Sequence, residues 1–67
     1  PRFGMVAVDP RVIPLGSRMT IEGFPGVTFT AADTGGAVIG NKIDIFMDTY
    51  AECIRFGVQT RTVTILR

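Results

Sequence analysis

Four aspartates stand where a 67-residue chain gains least from them: Asp9 closing "GMVAVDP", Asp33 in "TAADTGG", and Asp44 and Asp48 in "KIDIFMDT". A carboxylate among strand-forming apolar residues is costly unless donors, a partner charge or a function holds it there. Asp44 is the sharpest case, since Ile43 and Ile45 flank it and no turn signal lies nearby. A mid-strand aspartate contradicts its own propensity, and such conflicts concentrate at functional sites. Three chemistries are open. Each aspartate can be a turn former or cap: Asp9 before Pro10, Asp33 before Thr-Gly-Gly, Asp48 at a helix start. Alternatively, Asp44 with Asp33 or Asp9 close by forms a carboxylate set in which one pKa rises and a general acid results. The third is a divalent cation, but the D-x-D-x-D-G spacing of a calcium loop is absent, and no metal or cofactor is expected.

The rest of the composition removes competing chemistries. There is no histidine, and with it go the usual general base, the Ser-His and Cys-His nucleophiles and most zinc sites. The net charge is +1 and the seven basic residues are scattered singly, so neither nucleic acid nor an acidic membrane is the expected partner. Arg11, Arg18, Arg55, Arg61 and Arg67 read as solvated surface. Cys53 is the single cysteine, unable to form a disulfide within the chain, and reads as a small buried hydrophobe. No run approaches the ~18 apolar residues of a membrane span.

The elements that position the aspartates are mostly strands. "GMVAV" is a continuous apolar run, as in a strand buried on both faces, and Pro10 ends its ladder. "SRMTIEG" alternates, with Met19 and Ile21 on one face. "FPG" is a tight turn, and in "GVTFTAAD" Val27, Phe29 and Ala31 share a face. Asp33 has the same parity, so unbroken alternation points it inward, with Gly35 and Gly36 able to offer N–H groups. A short strand in "GAVIG" precedes "KIDIFMD", where Asp44 shares a face with Lys42, Phe46 and Asp48. "TYAECIRFG" is the helix candidate, Thr49 and Glu52 forming a capping box, and "TRTVTILR" closes the chain as a strand. Tyr50 and most of the phenylalanines read as core. Short strands in the order β-β-β-(β)-β-α-β predict one domain over 1–67, a small mainly-β barrel. A chain of this size buries only about 60 % of its unfolded surface. With 46 % hydrophobic residues, it is expected to share its core with a second copy, as a homodimer with or without strand exchange, or with an N-terminal segment.

"VAVDPRVIPLGS", "AADTGGAVIGNKIDIFMDT" and the closing "VTIL" together resemble the 3D domain, named for its three aspartates, from Gly4 to Leu66. The family occurs in stationary-phase survival proteins and as the catalytic barrel of MltA-type lytic transglycosylases. The resemblance implies a double-psi β-barrel with one short helix, lacking a first strand that the family carries ahead of "VAVDP". It also implies an exported, cell-envelope protein acting on peptidoglycan glycan strands. Asp44 would be the single acid/base that cleaves the bond between N-acetylmuramic acid and N-acetylglucosamine and leaves a 1,6-anhydro product. Asp33 and Asp9 would position and tune it, and Gly35 and Gly36 would let the backbone approach sugar. Thr34, Asn41 and Lys42, beside the carboxylates, are candidate groove contacts. The alternatives are a non-catalytic barrel that binds peptidoglycan or a protein, and a two-chain aspartic protease suggested by "AADTGGA". The latter leaves "VDPRVIPLG" and Asp44 without a role.

Overall fold

The computed structural model describes residues 3–49, 51, 52, 55 and 57–66. Five strands form one sheet: β1 (Met5–Val8), β2 (Arg18–Ile21), β3 (Phe29–Thr34), β4 (Ile43–Ile45) and β5 (Val63–Ile65). Their order is β4-β1-β3-β2-β5, with β1 and β3 parallel and every other pair antiparallel. The sheet curls into a half-barrel, the small mainly-β architecture that the strand pattern predicts.

The alternation in the sequence maps onto burial. In β2 Met19 and Ile21 are buried while Arg18 and Thr20 are exposed, and the central β1 is buried on both faces from Val6 to Val8. Val6, Val8, Met19, Ile21, Phe29 and Ala31 form the core, and Ile43, Ile45 and Val63 pack on it from the edge strands. Phe29 meets Phe3 and Phe24 edge-to-face, with centroids 5.5 and 5.4 Å away. Such pairs are worth about 0.5–1.5 kcal/mol beyond the area they bury.

Turns fall where glycine permits them. Pro25 and Gly26 occupy the middle of a turn closed by Val27 N–H to Phe24 C=O, and Gly26 has the positive φ of 77° that a type II turn demands. "GAVIG" is not a strand: Val38 N–H folds back onto the Gly35 carbonyl at 3.0 Å, and the segment turns rather than pairs. β4 is shorter than its alternating sequence, ending at Ile45. The predicted helix lies largely outside the described residues, with Tyr50, Cys53 and Phe56 among those not described. Ala51, Glu52 and Arg55 have helical backbone, and Thr49 Oγ1 accepts the Glu52 N–H at 3.1 Å, the expected cap.

Phe29 is fully buried, so Phe29→Ala is expected to cost about 3–5 kcal/mol. A domain of this length has roughly 3–10 kcal/mol to lose. Urea denaturation followed by far-UV circular dichroism should therefore show the midpoint lowered by about a third or more, down to a variant unfolded without denaturant. An unchanged midpoint would mean that the aromatic cluster is not the centre of the core.

Candidate functional site around Asp44

The three aspartates of the motif assemble around one small residue. Ala7 in the central strand pairs with Asp44 on one side and Asp33 on the other. Residues in register share a face, so Asp44, Ala7 and Asp33 form a row on the outer face of the half-barrel. Two strand spacings, about 10 Å, separate the outer Cα atoms. Asp9 follows two positions beyond Ala7 along the chain, at the same end of the sheet.

Asp33 reaches that row through an irregularity. Val6 pairs with Ala31 but Ala7 pairs with Asp33, so Ala32 is an extra residue in β3, a β-bulge. By unbroken alternation Asp33 would face the core; the bulge turns it outward, where it is exposed. Its Oδ1 accepts the N–H of Thr34 at 2.8 Å, rather than one from Gly35 or Gly36.

Asp9 has a different setting. At 4 % exposure it is the one buried charged side chain among the described residues. Oδ1 accepts the backbone N–H of Arg11 at 3.0 Å and its Nε at 3.1 Å. Oδ2 accepts Arg11 Nη2 at 3.0 Å and the N–H of Gly40 at 2.8 Å. The Arg11 side chain, then the Gly40 and Arg11 backbone donors, hold the Asp9 carboxyl well below its usual range, and Asp9 in turn raises the pKa of Arg11. The carboxylate is thus a turn former, as one sequence alternative had it, and also a tie to the loop that feeds β4. Arg11 is not merely solvated surface, although its side chain is 74 % exposed.

A cleft of about 510 Å³ opens between the edge strand β4 and the segment leading into β5. Asn41, Lys42 and Asp44 line one wall and Gln59, Thr60 and Arg61 the other. Val38, Ile43 and Ile45 add apolar surface. A larger hollow of about 600 Å³ lies over β2 and β5, but its single carboxylate, Glu22, is committed to the Thr62 N–H at 3.0 Å. The cleft is therefore the site with chemistry to offer. It gathers Asp44, Asn41 and Lys42. Asp33, Thr34, Gly35 and Gly36 lie outside its lining, on the far side of Ala7. Gln59 and Thr60 went unnoticed in the sequence, and Arg61 read as solvated surface, because all three reach the cleft only through the curl of the sheet. No group of three or more acidic or cysteine side chains among the described residues is arranged to hold a metal.

A small mainly-β half-barrel carrying three aspartates around a central-strand alanine is the class that fold and site define. Residues 4–67 match the 3D domain family, and the chain belongs to it. It is 48 % identical over 66 residues to the cell wall-binding protein YocH of Bacillus subtilis (strain 168), covering 98 % of this chain and 22 % of that protein. It is 47 % identical over 66 residues to the putative cell wall shaping protein YabE of the same organism, covering 98 % of this chain and 16 % of that one. The chain thus spans less than a quarter of the length of either relative. No solved structure matches it. No helix among the described residues is long and apolar enough to cross a membrane.

The Asp9 carboxyl titrates lower in the folded chain than in the unfolded one, where its pKa is about 3.9. Its contribution to stability is therefore complete above that value and falls away as pH drops below it. Asp9→Asn should lower the melting temperature at pH 7 and flatten its decline between pH 4 and pH 2, read by circular dichroism. Parallel pH profiles for the two proteins would show that the tie to Gly40 contributes nothing.

Proposed function

We propose that this domain acts on peptidoglycan in the cell envelope, and that it cleaves the glycan strand as a lytic transglycosylase with Asp44 as the single acid/base. The observation that carries the reading is the placement of Asp44: on an edge strand, exposed, and lining a cleft beside Asn41 and Lys42. The names of YocH and YabE as wall-binding and wall-shaping proteins support the substrate class.

A glycan lying in the cleft would strip water from Asp44. A carboxyl covered by a bound sugar is favoured in its neutral form, the form a proton donor must have. Asp44 gives its proton to the glycosidic oxygen as the C1–O bond breaks. The muramyl C6 hydroxyl then bonds to C1 and passes its proton back to Asp44. The acid is regenerated, the product is a 1,6-anhydro sugar, and no water is consumed. Asp33 and Asp9 position and tune, and Thr34, Gly35 and Gly36 border the row on the side away from the cleft. The edges of β4 and β5 that carry no strand among the described residues suit pairing with a second copy or a neighbouring segment.

The name of YocH as a wall-binding protein favours one second reading, a barrel that binds the wall without cutting it. Mass spectrometry of the soluble fraction after incubating purified peptidoglycan with the full chain separates the two. Anhydro-muropeptides should appear, and Asp44→Asn should cut their yield by about 10²–10⁴-fold, the range for loss of general acid–base catalysis. Sedimentation of both proteins with peptidoglycan, without any product, would replace the enzyme with the binding module.

A further inference from the structure

The 67 residues hold one asparagine and one glutamine, and both line the cleft at Asp44. Asn41 comes from the loop ahead of β4 and Gln59 from the segment ahead of β5. A carboxamide is planar and carries two donor hydrogens and an acceptor oxygen, so one group can meet an amide or a pair of hydroxyls with two hydrogen bonds. Asn41 beside a carboxylate, with the Gln59 NH₂ as a donor across the cleft and Val38, Ile43 and Ile45 supplying apolar contact, suits a ligand that carries amide and hydroxyl groups on a compact apolar frame.

Gln59 is held in a set orientation. Arg61 donates to its Oε1 from both Nε, at 2.9 Å, and Nη2, and Arg61 Nη1 reaches the Glu22 carbonyl at 3.4 Å. The guanidinium lies where a Cβ at position 23 would stand, and Gly23 leaves that space open, with φ at 94°. The order of support runs from Gly23 to Arg61 to the Gln59 carboxamide.

We propose that Asn41 and Gln59 form a subsite for the 2-acetamido group and adjacent hydroxyl of one sugar beside Asp44, with Arg61 as the residue that positions Gln59. The proposal rests on the glycan reading above and adds which part of the strand is held and by which side chains.

With only two carboxamide side chains, the ¹⁵N–¹H spectrum of the chain contains two carboxamide NH₂ pairs, assignable by Asn41→Ala and Gln59→Ala. Titration with a peptide-free fragment of alternating N-acetylglucosamine and N-acetylmuramic acid should shift both pairs and the Asp44 amide. Gln59→Ala and Arg61→Ala should each weaken binding about three- to tenfold, the worth of one or two net hydrogen bonds, with backbone amides away from the cleft unmoved. Arg61→Lys should fall between, and removing the N-acetyl groups from the fragment should abolish the carboxamide shifts. Binding that shifts other residues but not these pairs would overturn the subsite and leave the glycan reading standing. So would full affinity in Gln59→Ala, or capture of whole peptidoglycan without binding of the fragment. Failure to bind both the fragment and whole peptidoglycan would overturn both.

Discussion

The carboxylate of Asp9 binds a backbone N–H thirty-one residues away in the chain, at Gly40, and two of the three motif segments depend on that bond. A carboxylate this buried demands donors on every side, and it has four hydrogen bonds from two residues. The Arg11 guanidinium is mostly in solvent, so its charge is open to screening by salt. The Gly40 N–H is a fixed dipole and keeps its value when salt is added. By fixing Gly40, Asp9 sets where the 35–41 loop ends and brings Asn41 and Lys42 to the cleft. It also starts β4 in the register that puts Asp44 opposite Ala7.

Much of this was legible where burial is one-sided. Met19 and Ile21 alternate with Arg18 and Thr20 because β2 has one dry face, and the apolar run of β1 is continuous because that strand is covered on both. Asp44 stood out for the same reason: it interrupts a pair of isoleucines that pack on the core. The face of Asp33 was not legible. One extra residue, Ala32, inverts the parity of everything after it, and nothing in "TFTAADT" marks the inversion. "GAVIG" has the composition of a strand but no neighbour among the described residues to pair with, and its glycines let it turn.

The far wall of the cleft was hidden for another reason. Gln59, Thr60 and Arg61 are polar residues before a strand, which local pattern assigns to solvent. They face β4 only because β2 carries β5 around the curl of the sheet. Arg61 is a case in point: its guanidinium rests over Gly23, a contact that no spacing rule connects. Ala7 is legible only in retrospect. Flanked by Asp33 and Asp44 in the register, it leaves an almost featureless floor between the two carboxylates; a longer side chain there would stand between them.

The strand order also fixes a sequence of assembly. β1, β2, β3 and β4 all lie within the first 45 residues, and every pairing among them is available to a growing chain before residue 46 is added. β5 follows them and, among the described residues, pairs with β2 alone, at the opposite margin of the sheet from β4. The aspartate row is therefore complete early, while the wall that carries Gln59 and Arg61 arrives only after β4 has been made. In a chain made from its N-terminus, the carboxylates exist before the cleft that confines their chemistry.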